Sequence, residues 1–326
     1  MSKLVTIYGG SGFVGRYIAR HLAKDGWRIR VAVRRPNEAM FVKTYGVVGQ
    51  VEPVFCNIRD DDSVRVAMAG ADAVVNCVGI LDNHGRNTFD AVQAEGATRI
   101  ARISDELAVA KFVQLSAIGA DADSESDYCR TKAEGEAGVL EHRPDAVILR
   151  PSIIFGQEDQ FFNRFAGMTR FGPCLPIIGG KTRFQPVYVD DVARAAVLGV
   201  TGSAGPGVYE LGGPDIATFH ELMDVMLDTI RRNRVVLDLP FWMGRFMARA
   251  FGVASALSLG LIKSPITSDQ VKSLAVDNVV GTDVGMFEDL GIKPAAMAAI
   301  LPEYLWRFRP NGQYDEMMEA AKRLKT

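Results

Sequence analysis

The chain has 326 residues, 48% of them hydrophobic and 23% charged, and its 37 basic and 39 acidic side chains leave a formal net charge of -2. This composition is that of an ordered globular protein and excludes an intrinsically disordered one. Because the net charge is close to zero, no long-range field attracts nucleic acid, and we predict no nucleic-acid partner.

The first 150 residues alternate β-branched runs with amphipathic segments, which is the rhythm of βαβ units in a parallel sheet. The predicted strands cover residues 4–8, 29–33, 51–55, 73–77, 112–116 and 146–150. The predicted helices between them lie near 13–25, 61–69, 88–108 and 127–142. Right-handed crossovers make this an α/β Rossmann fold, a doubly wound parallel sheet whose ligands lie beyond the carboxyl ends of its strands.

After about residue 155 this rhythm gives way to Gly- and Pro-rich loops, followed by a strand and a helix over 186–200. We predict a Rossmann domain of residues 1–155 plus about 184–202. A smaller, partly interleaved C-terminal α/β domain takes about 156–183 and 203–326.

Three later helices are predicted near 218–231, 241–260 and 294–307. The middle one is rich in large apolar residues and also carries Arg245 and Arg249, so it is typical of an interfacial or partner-binding helix, or of an ordinary core helix. No run of about eighteen apolar residues indicates a membrane-spanning helix.

The strongest motif lies where the first strand meets the first helix, with glycines at positions 9, 12 and 15. Glycine permits the tight turn, a close backbone approach to a pyrophosphate and close helix-to-sheet packing, while the helix N-terminus attracts the anion. The alternative is a glycine-rich turn without a ligand. The predicted dinucleotide-binding residues here are Gly9, Gly10, Ser11, Gly12, Phe13, Val14 and Gly15.

The end of the second strand indicates which dinucleotide is bound. An NAD site places a carboxylate there for the ribose 2′-hydroxyl, but this chain has Arg34 and Arg35. Two guanidinium groups suit a 2′-phosphate, so we predict NADPH as the cofactor, although loop arginines can also be plain surface charge.

Two further strand ends are placed to line the same cofactor. Asn57 and Ile58 follow the third strand, where the adenine ring would lie, and Cys77, Val78 and Gly79 follow the fourth. Either segment could also be no more than a turn.

Ser116 ends the fifth strand, and Tyr128 and Lys132 open the next helix. Here the chain resembles the short-chain dehydrogenase family, in which the serine orients the substrate, the tyrosine exchanges a proton and the lysine lowers the tyrosine pKa while holding the nicotinamide ribose. Positions four apart share a helix face, so Lys132 can approach Tyr128. The alternative is that the three residues only hold the cofactor.

A longer stretch, 149–165, more closely resembles the NADPH-binding accessory subunits of respiratory complex I, an atypical branch of the short-chain dehydrogenases. The likeness continues through 184–193, and it adds Pro151 and Ile153 to the cofactor-binding residues. It implies a non-catalytic subunit that holds NADPH and stabilises the complex where its peripheral arm meets the membrane, beside other subunits near the quinone site. The competing hypothesis is an NADPH-dependent reductase or epimerase that uses Ser116, Tyr128 and Lys132.

The resemblance also implies where the protein is found. Its apolar helix at 241–260 offers Phe241, Trp242, Phe246 and Phe251 to lipid or a partner. A strand begins near the N-terminus and no transit-like sequence precedes it, so we expect a bacterial protein that is peripheral on the cytoplasmic face of the inner membrane, or on the matrix face if the chain is a processed eukaryotic form. The four cysteines lack zinc-ligand spacing, so we predict no metal and a reducing compartment.

Overall fold

The computed structural model describes residues 2–257 and 266–314. The strands in chain order are β1 (Leu4–Tyr8), β2 (Arg28–Val33), β3 (Val51–Phe55), β4 (Ala73–Asn76), β5 (Lys111–Leu115), β6 (Val147–Pro151), β7 (Ile154–Phe155), β8 (Cys174–Ile178), β9 (Arg183–Phe184), β10 (Val187–Tyr188), β11 (Gly207–Leu211), β12 (Ala217–Thr218) and β13 (Val235–Leu239). The α-helices are α1 (Phe13–Lys24), α2 (Asp61–Met68), α3 (Glu95–Glu106), α4 (Asp127–His142), α5 (Phe162–Met168), α6 (Val189–Thr201), α7 (Phe219–Thr229), α8 (Phe241–Leu257), α9 (Ser268–Ser273) and α10 (Met297–Leu305).

Seven parallel strands form one sheet in the order β11-β6-β5-β4-β1-β2-β3. The order reverses between β1 and β4, which is the switch point of a Rossmann sheet, where ligands bind beyond the strand ends. The predicted fold class is therefore confirmed. The six predicted strands lie within one residue of their predicted bounds.

The centre of this sheet is fully buried, as a parallel sheet covered on both faces requires. Val5, Ile7 and Val74 have no exposed surface. The two side-chain hydroxyls of β1 donate to backbone carbonyls of α2. Thr6 Oγ1 donates to the carbonyl of Ala67 and Tyr8 Oη to that of Val64, both at 2.9 Å. These bonds fix α2 against the strand that leads into the glycine loop.

One buried ion-pair network joins β6 to α4 and β11. Arg150 binds the carboxylate of Glu136 at 2.5 Å and that of Glu210 at 3.4 Å. Both glutamates are almost completely buried, so neither charge is tolerated without its partner. The network anchors the edge strand β11, which was not predicted from the sequence.

The chain divides into two compact units. The first comprises Met1–Ser152, Val189–Gly212 and Val280–Pro294, and the second comprises Ile153–Tyr188, Gly213–Val279 and Ala295–Thr326. These bounds differ from the predicted domains at 153–155, 184–188, 203–212 and 280–294. β10 pairs with β7 in the second unit, whereas β11 pairs with β6 in the central sheet.

The second unit contains three strand pairs around an aromatic core. β7 pairs with β10 and β8 with β13, both parallel, while β9 and β12 are antiparallel. Phe155, Phe162 and Phe219 are buried among the helices α5, α7 and α10. The Gly- and Pro-rich segment that was expected to be loop thus contains β8, because Leu175 and Ile177 alternate into this core.

The predicted helix at 241–260 corresponds to α8, and residues 258–260 lie outside the described part of the chain. Within the described ranges, none of the helices has both the length and the apolar character needed to span a bilayer.

Candidate functional site

The glycine loop between β1 and α1 is closed by its own backbone. Gly9 has φ of +74°, and its N–H donates to the carbonyl of Ala32 at 3.0 Å, while the Gly12 N–H donates to the Gly9 carbonyl at 2.9 Å. A Cβ on Gly15 would lie 2.6 Å from the Gly9 carbonyl oxygen and 2.7 Å from Gly10 Cα. Only glycine lets α1 approach the loop this closely.

The N-terminus of α1 is open to an anion. Gly12 is the N-cap residue and provides no side-chain cap, and the first turn, from Phe13 onward, carries no acidic residue. Val14 is buried against the sheet, whereas Ser11 is only partly buried. The unsatisfied N–H groups and the helix dipole at this end suit a pyrophosphate.

Three arginines lie around the glycine loop and the segment that follows β2. Arg34 is exposed immediately after β2, whereas Arg35 Nη1 is 3.1 Å from Glu38 Oε1 on a 3₁₀ turn. Arg16, which the motif analysis missed, donates through Nη2 to the Ser11 carbonyl at 3.1 Å. Its guanidinium lies 5.0 Å from the centroid of the Phe41 ring, so it bridges the glycine loop and the segment that follows β2.

The segment after β3 is organised mainly by its own turn. The Asn57 side-chain oxygen accepts the Arg59 N–H at 3.3 Å, and the Asn57 N–H donates to Ser63 Oγ at 2.9 Å. The Ile58 side chain is 9% exposed and packs into the core beside Gly96. The Ile58 side chain is therefore part of the core, and contact of this segment with an adenine ring stays a prediction.

The loop after β4 reaches both the glycine loop and Lys132. A Cβ on Gly9 would lie 3.3 Å from the Cys77 carbonyl and from Val78 Cγ2, and a Cβ on Gly79 would lie 3.4 Å from Lys132 Nζ. The Cys77 N–H donates to the Tyr8 carbonyl at 2.9 Å. Burial raises the pKa of the Cys77 thiol to about 12, so it stays protonated.

Lys132 reaches the end of β5, which Ser116 directly follows. Lys132 is 7% exposed, and its Nζ donates to the Leu115 carbonyl at 3.4 Å and lies 5.9 Å from the centroid of the Tyr128 ring. Burial lowers the pKa of Lys132 to about 8, which the Glu136 carboxylate opposes. Ser116 is 5% exposed, and its Oγ has no hydrogen-bond partner among the described residues.

Tyr128 differs from the expectation that a neighbouring ammonium favours its ionised form. Burial raises its pKa, and the ring packs edge-on against Phe89 with centroids 6.0 Å apart. In the ligand-free chain burial is the main cause of this raised pKa, followed by repulsion from Cys129, and the expected lowering by Lys132 stays a prediction for the cofactor-bound state. Tyr128 is a protonated group at neutral pH.

A second residue that the sequence analysis missed is Gln93. It lies in a π-helical turn, Asp90–Ala94, just before α3, and is 3% exposed. Its Nε2 is 3.5 Å from the Ile80 carbonyl, while its Oε1 has no partner in the described structure. A π-turn within a helix often marks a functional position, but this turn is recognised only in the structure.

The segment 149–165 is divided between the two units. Pro151 ends β6, and its carbonyl accepts the Ile118 N–H at 3.1 Å, whereas Ile153 belongs to the second unit and packs on that unit's core. Later in the segment, Asp159 Oδ2 accepts a hydrogen bond from the Tyr304 hydroxyl at 2.5 Å. Burial raises the pKa of Asp159, so this part of the motif is an internal anchor.

The geometry of the first unit fits a dinucleotide. The close approach at Gly15 leaves no room for a Cβ, and the α1 N-terminus beside it has no side-chain cap. At the end of β5, the Ser116 hydroxyl has no hydrogen-bond partner in the described structure, and the buried Lys132 ammonium reaches the neighbouring Leu115 carbonyl. Across the described residues, no group of His, Cys, Asp and Glu is arranged to hold a metal ion.

The profile of the NAD dependent epimerase/dehydratase family matches residues 5–212. The chain belongs to this family. Membership of this family supports the binding of a nicotinamide dinucleotide by this chain. A solved dTDP-glucose 4,6-dehydratase from Streptomyces venezuelae with NAD bound shares the fold, with a TM-score of 0.70, 19% identity and coverage of 96% of this chain and 97% of that one.

Within the family, the chain is similar along nearly its whole length to two proteins named NADH dehydrogenase [ubiquinone] 1 alpha subcomplex subunit 9, mitochondrial. The Arabidopsis thaliana protein is 34% identical over 95% of this chain and 79% of its own length. The Mus musculus protein is 30% identical over 99% of this chain and 85% of its own length. The resemblance inferred from residues 149–165 is thus confirmed.

Proposed function

We propose that this protein is an accessory subunit of respiratory complex I that holds NADPH as a structural ligand. The carrying observation is that similarity to the subunit 9 proteins covers both compact units rather than the dinucleotide-binding unit alone. A ligand that binds only the folded chain stabilises it by mass action, so a tightly held dinucleotide would couple cofactor binding to assembly.

The test is co-migration. Native membranes are extracted in mild detergent and separated on a native gel, and this chain is detected against the band with NADH dehydrogenase activity. Co-migration supports the proposal, and cross-linking of that band would identify the neighbouring subunits near the quinone site. If the chain ran alone at the size of a monomer or small oligomer, the proposal would be refuted.

The preference for NADPH over NADH rests on the arginines at the adenosine end. Arg34 is exposed and Arg16 joins the glycine loop to Phe41 in the segment after β2, whereas Arg35 already has Glu38 as a partner. A charged hydrogen bond contributes about 1.5–3 kcal/mol. Replacing Arg34 and Arg35 by Ala should therefore weaken NADPH binding about tenfold to a hundredfold and leave NADH binding nearly unchanged.

Titration calorimetry with both dinucleotides measures this selectivity. Lys43→Ala, an exposed cation on the same 3₁₀ turn, is the matched control and should alter neither affinity. Equal losses of NADPH and NADH affinity in the double variant would contradict a 2′-phosphate site.

The remaining cofactor contacts proposed for this chain lie on the nicotinamide side. Ser116, Tyr128 and Lys132 would meet the ribose and the amide, and the loop from Cys77 to Gly79 would lie under the cofactor backbone. Gly12→Val, at the mouth of α1, should abolish binding of both dinucleotides, because its side chain would point at the Gly9 carbonyl 3.1 Å away. Retained binding would refute the glycine-loop assignment.

The proposed location is peripheral on the membrane, at the cytoplasmic or matrix face, with α8 as one contact to lipid. Gly244 and Ala248 are on the buried side of α8, while Trp242 and Phe246 are 67% and 68% exposed. Arg245 and Arg249, also exposed, could meet headgroup phosphates. Trp242→Ser with Phe246→Ser should reduce retention on washed membranes; unchanged retention would exclude this contact.

The second candidate is an NADPH-dependent reductase or epimerase, favoured by the presence of Ser116, Tyr128 and Lys132 in one unit. A bound dinucleotide would supply hydride transfer, and Tyr128 would hold the proton. This function predicts rapid cofactor exchange and NADPH oxidation by carbonyl compounds, both abolished by Tyr128→Phe. Bound NADPH that survives purification and resists such oxidation would favour the accessory subunit.

A further inference from the structure

Three arginines of the second unit contact Phe308, and a fourth, Arg234, lies close enough to one of them, Arg232, to repel it. The guanidinium carbons of Arg170 and Arg307 lie 5.1 and 5.3 Å from the centroid of the Phe308 ring. Arg232 Nε donates to the Phe308 carbonyl at 2.7 Å, and Arg234 Nε donates to a backbone carbonyl at the end of α5 at 3.0 Å. Arg170, Arg232, Arg234 and Arg307 together form the arginine cluster.

No carboxylate neutralises the cluster among the described residues. The hydrogen bonds of these arginines go to backbone carbonyls and, for Arg307, also to the side-chain oxygen of Asn163. Burial lowers the pKa of Arg232, and repulsion from Arg234 and Arg170 lowers it further. An anion brought from outside would relieve this repulsion.

An apolar surface begins beside the cluster. Phe171 is 91% exposed and directly follows Arg170. Beyond it, the open face of the β8–β13 pair presents Val235 and Leu237, which are 59% and 41% exposed and stand opposite Cys174 and Pro176.

The far end of this face is covered by α8, where Gly244 packs on Ile178. The arginine cluster, the apolar face and the exposed side of α8 therefore follow one another along the second unit. Both ends carry arginines and the middle is apolar.

We propose that the arginine cluster binds the phosphate groups of an anionic lipid surface while Phe171 enters its apolar edge. A lipid interface offers anions and an apolar phase side by side, which matches a surface that is cationic and apolar over the same stretch. An acidic protein would match the arginines but not an almost fully exposed phenylalanine. Which cellular membrane is bound rests on the proposed function, whereas lipid binding itself is a property of the chain.

The test is flotation of the full chain with vesicles of phosphatidylcholine alone or mixed with phosphatidylglycerol. We expect binding only to the mixed vesicles and a steep loss with added salt. Arg170→Gln should weaken binding about fivefold, the usual contribution of one arginine near an anionic surface. Phe171→Ser should weaken it further without unfolding, because that side chain makes almost no internal contact.

A matched control changes the same charge and the same kind of exposed apolar group in the first unit. Arg28→Gln with Val48→Ser, both exposed, should leave vesicle binding unchanged. The proposal would be overturned if this control variant lost as much vesicle binding as the variants at Arg170 and Phe171. Absence of binding to the mixed vesicles, or equal binding to soluble polyglutamate, would overturn it as well.

This readout is separate from the co-migration test of the wild-type chain. Loss of vesicle binding would overturn the lipid site alone, whereas loss of co-migration would overturn the complex I assignment alone.

Discussion

Dinucleotide binding should draw a proton onto Lys132. Burial lowers the pKa of this lysine to about 8 in the ligand-free chain, so near that pH a large share of the side chain is neutral. Ribose hydroxyls that accept hydrogen bonds from the ammonium favour its charged form, as does the negative pyrophosphate. The bound state should therefore hold a proton that the free state has partly lost.

The size of the effect follows from the titration of a single group. With a free-state pKa of about 8 and a normal pKa restored on binding, uptake is about half a proton at pH 8 and about nine-tenths at pH 9. In the unfolded chain the same lysine keeps its proton to about pH 10.4. Between the two pKa values the unfolded chain therefore binds more protons than the folded, ligand-free chain. Hence the unfolding free energy of the ligand-free chain should rise with pH between the two pKa values.

Titration calorimetry in two buffers of different ionisation enthalpy measures this uptake directly. Burial raises the pKa values of the neighbouring Tyr128 and Cys77, so these two groups keep their protons in this range. Lys132→Met should abolish the difference between buffers while keeping the volume of the side chain. A binding enthalpy independent of the buffer at pH 9 in the wild-type chain would refute the reasoning.

Three further predictions concern stability. Gly15→Ala places a Cβ 2.6 Å from backbone, so the unfolding free energy in urea should fall by about 1–3 kcal/mol and dinucleotide binding should fail; an unchanged midpoint would contradict the close approach. Arg150→Met strands two buried carboxylates and should cost about 3–5 kcal/mol in the same assay, whereas a cost below about 1 kcal/mol would show that they are solvated. Ser116→Ala removes a buried unpartnered hydroxyl, so it should stabilise the ligand-free chain by about 1 kcal/mol or more yet reduce the added stability from NADPH; a loss without ligand would mean that the hydroxyl has a partner.

The dinucleotide-binding unit could be predicted because its local signals agree with its global fold. The strand from Leu4 to Tyr8 is a continuous β-branched and aromatic run, and the helix from Asp127 to His142 begins after a Ser126 cap. The glycine spacing then places the loop at the switch point of the sheet. Each of these signals lies within about ten residues of the structure that it specifies.

The missed features depend on contacts between distant residues. β11 belongs to the central sheet because it pairs with β6 and because Glu210 reaches Arg150, and nothing local to 207–211 says so. Arg16 was passed over because its importance comes from Phe41, which lies in a 3₁₀ turn that has no clear periodicity. Gln93 becomes visible only once the helix is seen to begin with a π-turn.

The same long-range contacts bear on whether the site turns over a substrate or holds its cofactor. Burial raises the pKa of Tyr128 above its ordinary value, and the Lys132 ammonium donates to the Leu115 carbonyl. A protonated tyrosine and a lysine of lowered pKa can both bind ribose oxygens, but proton exchange with a substrate needs a tyrosine that ionises readily. In the ligand-free chain these residues are therefore better suited to hold a dinucleotide than to use it in a reaction. Turnover would require cofactor binding to restore the charge on Lys132 and this charge to lower the tyrosine pKa. Proton uptake at Lys132 measures the first of these two requirements.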